Sequence, residues 1–363
     1  MSTRGKTASV ALVAGAALLW IAGDMNPRLV SRRAEYGLDA GQPLENAPPW
    51  VVFTTVVLGG LRGVVTDILW LRVSHLQMRG EYLEIVQLAD WITKLNPRCA
   101  DHWAYHAWNM GFNVAAVMPG AHERWRWIQH AVRLLRDEGL RYAPGEPQLY
   151  CELSWLYLFK IGGTADPAHG YYRRRLACEM HALLGGGQRP ADADLQKQPG
   201  RDAQLRKLNL LPEIMAQMEA RFGQLDWRLP ETHALYWAWR GQNETRKRAP
   251  LVCYRLMYEA AAESVMNGYL DFSPETDGYA TRPNPALLPG AMRAYEETLA
   301  VYPDESVRVA YSNFLVKAAV RLQGVDQTAS RTAFHAWRML SGPGESAVSY
   351  EEFLRTHGRR EIE

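Results

Sequence analysis

The chain has 363 residues, 47% of them hydrophobic, enough for a large core spread over two or three subdomains. Lys+Arg 41 against Asp+Glu 39 leaves a formal charge of +2, which argues against bulk nucleic-acid binding, since that usually needs a strongly basic face. The load of 13 Trp and 17 Tyr suits wide helix interfaces or a binding groove.

Arg4 and Lys6 precede an uncharged apolar run over residues 8–23, the layout of a signal peptide or a membrane anchor. The run falls just short of the ~17–25 residues of a spanning helix. Trp20-Ile21-Ala22 makes a poor small-x-small cleavage site, which favours an uncleaved anchor, with a buried N-terminal helix as the third option. Flanking charge is balanced, Arg28, Arg32 and Arg33 following the run, so orientation rests on the free basic N-terminus, which leans the bulk outside the cytoplasm. Residues 24–49 hold Pro27, Pro43, Pro48 and Pro49 and read as a linker with at most one short helix. A second apolar run, 50–61, is too short to span a bilayer and reads as a buried helix or a re-entrant segment.

Residues 63–78 follow a helical period through Val64, Ile68, Leu71 and Val73, with an apolar surface broad enough to predict burial on more than one side. Asp67 among them suggests an internal ion pair. Gly80 breaks the pattern, and a second helix carries Ile85, Leu88, Ala89, Ile92 and Leu95 up to Pro97. Two such helices cover only one face of each other, so the remaining apolar surface needs a neighbouring hairpin, the logic of a solenoid.

Gly80, Tyr82, Ile85, Ala89 and the closing Pro97, with Leu69 and Trp70 early in the first helix, resemble a tetratricopeptide (TPR) repeat, and residues 64–97 span one family period of ~34. Arg72 and Val73 depart from the pattern, standing where the family prefers Leu and Gly. The chain is also similar to membrane-anchored bacterial proteins of TPR-like type. The resemblance implies an all-α, irregular TPR-like solenoid of helical hairpins behind an N-terminal hydrophobic helix.

Further hairpins follow: helices over 100–117 and 124–141, closed by Pro119 and Pro144, then a pair opening near Pro147 and returning over 169–184. Gly185-Gly186-Gly187 begins the clearest internal boundary. Residues 201–222 read as one polar helix kinked at Pro212, helices start at Pro230 and Pro250, and the proline-rich 271–289 reads as a long loop. Ala291, Tyr295 and Thr298 then stand at the same distances before Pro303 as Ile85, Ala89 and Ile92 before Pro97, and helices over 307–322 and 328–340 form a last pair. The expected division is 1–23 anchor or signal, 24–49 linker, 50–184 hairpins, 185–200 linker, 201–285 helical middle with its loop, and 286–363 C-terminal TPR-like helices.

Chemistry-bearing motifs are sparse. His102 and His106 share a helix face with Cys99 just before them, but a metal site needs three or four ligands and no further pair is evident. His122-Glu123 lacks the second His of a zincin helix. Cys99, Cys151, Cys178 and Cys253 contain no CxxC and default to small buried hydrophobes; outside the cytoplasm, Cys151 and Cys178 could pair across the third hairpin. Arg173-Arg174-Arg175 reads as a solvated helix face, and Arg246-Lys247-Arg248 as a loop cluster for anionic lipid or an acidic partner. Glu296-Glu297 are ordinary exposed helix residues, and no P-loop, GxSxG elbow or dinucleotide fingerprint is present.

The sequence therefore predicts a non-enzymatic, cofactor-free scaffold, membrane-anchored with its bulk extracytoplasmic, that binds a protein or peptide on a helical-repeat surface. Trp103, Tyr105, His106 and Asn109, chosen from helix position, are the expected partner-binding residues. The competing reading is a structural subunit of a membrane transporter or envelope assembly.

Overall fold

The computed structural model describes residues 62–245, 248–276, 278–341 and 348–358, with Asp24, Ser31, Arg32 and Glu35 as isolated positions. The expected anchor, the 50–61 run and two residues of the basic cluster at 246–248 lie outside them. No helix among the described residues is long and apolar enough to cross a membrane. The fold is all-α apart from one small hairpin. It divides into two compact units, one ending at His102 and the other beginning at Trp103.

In the first unit α1 (Arg62–Arg79) packs on α2 (Tyr82–Leu95). Gly80 joins them at φ +72°, and the bond from Glu81 N to Leu76 O at 3.0 Å caps the turn, a conformation that spares only a residue without Cβ. Ile85, Ala89 and Ile92 are buried, as their period requires. The breadth expected of α1 is corrected: Leu69, Val73 and Leu76 are buried, but Val64, Ile68, Leu71 and Met78 form an exposed apolar stripe on the opposite face. Asp67 is exposed and needs no internal partner.

The second unit opens with three helices that each lose α geometry part-way. α3 (Ala100–Trp108) passes through a π segment (Asn109–Val114), α4 (Ala121–Arg133) through another (Leu134–Gly139), and α5 (Pro147–Trp155) ends in a third (Leu156–Ile161). A Cβ on Gly111 would lie 2.8 Å from Leu156 Cδ2, so the first π segment packs closely on the third at a glycine, and a larger residue there would push the leucine aside. α6 (His169–Leu184) follows, then α7 (Asp192–Lys197), α8 (Pro199–Lys207), α9 (Pro212–Phe222), α10 (Pro230–Asn243) and α11 (Leu251–Asn267). Proline opens α5, α8, α9 and α10, where its missing N–H costs nothing.

α10 is the axis of this region, buried along most of its length and packed against α5, the third π segment and α11. Gly241 sets its approach to α5, since a Cβ there would sit 2.9 Å from Tyr150 Cβ. A disulfide joins Cys151 on α5 to Cys253 on α11, with Cα atoms 5.4 Å apart.

Beyond α11 lie β1 (Tyr269–Phe272) and β2 (Tyr279–Arg282), antiparallel with Leu270 opposite Thr281, and a 3-10 turn (Pro285–Leu287). α12 (Leu288–Val301), α13 (Glu305–Leu322) and α14 (Gln327–Ser341) then pack each on the next, and α15 (Tyr350–Gly358) packs on α13. Ala291, Tyr295 and Thr298 are buried like their counterparts on α2, and both helices stop two residues short of their proline.

Three expectations change. The loop expected over 271–289 contains the hairpin, because its prolines flank the strands and leave their ladder N–H groups intact. The single helix over 201–222 is α8 and α9, broken where Asn209 takes a left-handed φ of 55°. The stretch 185–200 contains α7.

Candidate functional site

Within the second unit a cleft of about 1150 Å³ opens between the end of the third π segment, α6, α10, α11, β2 and α13. Its deepest charged group is Glu231, placed in the first turn of α10 by Pro230 and only 2% exposed. Oε1 meets Arg173 of α6 at 3.0 Å, and Arg173 also donates to the carbonyl of Gly162, just past the π segment. Burial raises the Glu231 carboxyl pKa, with the Arg173 charge opposing.

Oε2 of Glu231 is buried with no hydrogen-bond partner among the described residues. The Tyr279 hydroxyl of β2 is buried beside Arg173, and burial, reinforced by the Glu231 charge, keeps that phenol protonated well above its ordinary range. Buried polar atoms in folded proteins are nearly always paired, so an unpaired carboxylate oxygen lining a cleft marks a place for a ligand or ordered water.

α11 supplies the opposite wall. Glu263 meets Lys317 of α13 at 3.1 Å and accepts from Asn267 Nδ2 at 3.1 Å, while Asn267 accepts from Thr281 of β2 at 3.1 Å. Glu259, one turn before Glu263, has its pKa raised by burial, against Arg255 and with Glu263 adding to it. The hairpin thus helps hold the Glu263 carboxylate through Asn267. Chemically the cleft can accept hydrogen bonds and positive charge on Glu231 and Glu259, and it presents Tyr279 as a donor.

The residues expected to meet a partner lie elsewhere. Trp103 is 1% exposed and stacks on Tyr142 at 5.8 Å, His106 is buried, Asn109 is buried and accepts from Asn113 at 3.1 Å, and Tyr105 is half-buried. Trp103, His106 and Asn109 therefore face the core and not solvent, and Trp108 is the exposed aromatic of the helix. His102 accepts from Trp70 Nε1 at 3.3 Å, and burial lowers its pKa. No group of three or more His, Cys, Asp or Glu able to hold a metal ion occurs among the described residues.

Two further expectations are overturned. Cys151 pairs with Cys253, not Cys178, because α5 and α11 both flank α10, and Cys178 and Cys99 are free. Within the arginine run, Arg173 turns inward to Glu231, while Arg175 stays at the surface near Glu179. Glu231, Arg173 and Tyr279 escaped the sequence reading because they are distant in the chain. The one local signal was a glutamate directly after a helix-opening proline. No family model, curated protein or solved structure matches the chain.

Proposed function

We propose that the protein is a membrane-tethered, non-enzymatic binding scaffold, an irregular TPR-like solenoid whose cleft between α6, α10, α11 and β2 receives a protein or peptide segment carrying a basic side chain. The buried, unpartnered Oε2 of Glu231 at the wall of this cleft carries the reading. A Lys or Arg reaching it would satisfy that oxygen, and Glu259 would add a second acceptor. The successive packing of α11, α12, α13 and α14, and the matched buried positions of α2 and α12, support the repeat architecture. The Cys151–Cys253 disulfide supports placing the bulk outside the cytoplasm, since such bonds persist in oxidising compartments. The exposed apolar stripe of α1 supports a position close to lipid.

Peptide-library selection on the full-length protein tests this. Segments carrying Lys or Arg should be enriched, and Glu231→Gln should weaken them roughly tenfold, the effect of one charge-assisted hydrogen bond. Absence of enrichment, or enrichment unchanged by Glu231→Gln and Glu259→Gln together, rejects the reading. A second reading, acid–base catalysis in the same cleft, is favoured only by the raised pKa of the Glu231 and Glu259 carboxyls.

A further inference from the structure

A second, smaller cavity of about 230 Å³ lies inside the same unit, away from the cleft carboxylates, between α4, the second and third π segments, α6 and α10. Ile128, Val132, Ile161, Leu176 and Met180 give it an apolar wall. Trp125, Tyr157 and Trp237 add flat aromatic surface.

His233 and Trp237, one turn apart on α10 and each 1% exposed, are its buried polar members. His233 Nε2 lies 2.9 Å from the carbonyl of Trp227, which can only accept, so that nitrogen carries the ring proton. Nδ1 is then a lone-pair acceptor, and burial pushes the ring pKa down to about 4, so it stays neutral near pH 7. Nδ1 has no hydrogen-bond partner among the described residues, and neither has the indole Nε1 of Trp237, an obligate donor. The Tyr157 ring stacks on His233 at 4.9 Å and 15°, which fixes the plane of the imidazole.

Each unmet group is the complement of the other: one wants a donor and one an acceptor. A hydroxyl supplies both. An engineered apolar cavity of about 150 Å³ holds benzene, so this volume admits a substituted ring. Charged side chains line it too, but they are matched: Glu179 accepts from Trp125 Nε1 at 3.3 Å and from Gln129 at 3.0 Å, and Arg136 pairs with Asp137 at 2.6 Å. An ionic ligand would add a buried charge without a partner, so the site favours a neutral one.

The two π segments contribute Arg136, Tyr157 and Ile161 to the lining. π turns carry an extra residue, widen the helix locally and recur at functional sites.

We infer that this cavity is a binding site for a small neutral ring compound bearing a hydroxyl, with the hydroxyl on His233 Nδ1 and Trp237 Nε1 and the ring between the aromatic and aliphatic walls.

The probes are 4-ethylphenol and ethylbenzene, which differ by that hydroxyl, titrated into the full-length protein and followed by ligand-observed NMR and calorimetry. 4-Ethylphenol should bind saturably, roughly tenfold more tightly than ethylbenzene. His233→Phe and Trp237→Phe should each collapse that preference to under about threefold while leaving the ring binding. Val132→Phe, which fills the space, should abolish binding of both. Trp237→Phe supplies the readout if His233→Phe does not fold, and circular dichroism monitors all three variants. No saturable binding at millimolar concentration, equal affinity for the two probes, or binding that survives Val132→Phe overturns the inference and leaves ordered water as the partner of both atoms.

Discussion

The region around α10 and the succession α12 to α14 are built from the same kind of helix but treat polar groups in opposite ways. In the C-terminal succession the buried hydroxyls are satisfied by helix carbonyls: Thr298 donates to Ala294 O of its own helix at 2.7 Å, and Ser330 of α14 donates to Ala319 O of α13. Its core is a tight aromatic column, Tyr295 stacking on Tyr258 at 4.2 Å and on Tyr311 at 4.9 Å. Around α10, by contrast, charges are buried in pairs, Lys160 with Asp166 at 2.7 Å and Arg173 with Glu231 at 3.0 Å. Two cavities open beside it, the larger also walled by α12 and α13, and several buried polar atoms have no partner among the described residues. Locally consistent structure serves stability, and departures from it gather where a protein does something else.

The largest test of that contrast is Glu231→Ala. It strands the Arg173 guanidinium, whose side chain is only 15% exposed, and should cost about 3–5 kcal/mol in urea unfolding. Tyr311→Phe in the C-terminal succession removes a hydrogen bond to the exposed Glu296 and should cost under about 1 kcal/mol. Equal losses would erase the distinction.

Next in size is the disulfide. Its removal by Cys151→Ser with Cys253→Ser should lower stability by about 2–5 kcal/mol, because it frees a loop with a sequence separation of 102. Hydrogen exchange should show protection falling in α5, α10 and α11 and holding in α13 and α14. Uniform loss throughout would mean the two regions unfold as one.

The smallest expected effect sharpens the contrast through pH. Burial pushes Glu152 of α5 up to about 7, so it binds its proton more tightly folded than unfolded. Its contribution is full below 4.5, its ordinary value, and is lost as pH rises through 7. His233 runs the other way: pushed down to about 4, it contributes fully above its ordinary 6.5 and loses that contribution as pH falls towards 4. Each is worth on the order of 3 kcal/mol across its window, so the two largely cancel in the wild type. Glu152→Gln should therefore expose a protein that weakens on acidification, and His233→Phe one that weakens towards neutrality. Identical urea-midpoint profiles for all three proteins would remove the titrations from the account.

The C-terminal succession was legible in the sequence because its logic is local. Ala291, Tyr295 and Thr298 repeat the spacing of Ile85, Ala89 and Ile92, and prolines stop both helices. Around α10 the determinants are not local. Arg173 sits in a run of three arginines that looks solvated until Glu231 and the Gly162 carbonyl are brought beside it. The π segments left no readable mark, since six residues are too few to separate their period from an α-helix. Trp103, His106 and Asn109 misled because aromatic and amide side chains on one face suit a groove and a core equally, and only packing decides between them.

The π segments also bear on how this chain tolerates changes of length. Deleting one residue from an ordinary helix turns everything after it by about 100° relative to its neighbours, which breaks the packing of that helix. Within Leu156–Ile161 the same deletion would instead restore regular backbone bonding, because the segment already carries a surplus residue. The helix would survive the loss, and Tyr157 and Ile161, three apart instead of four, would still share a face. Such a spot makes the chain cheaper to shorten there than in a regular helix.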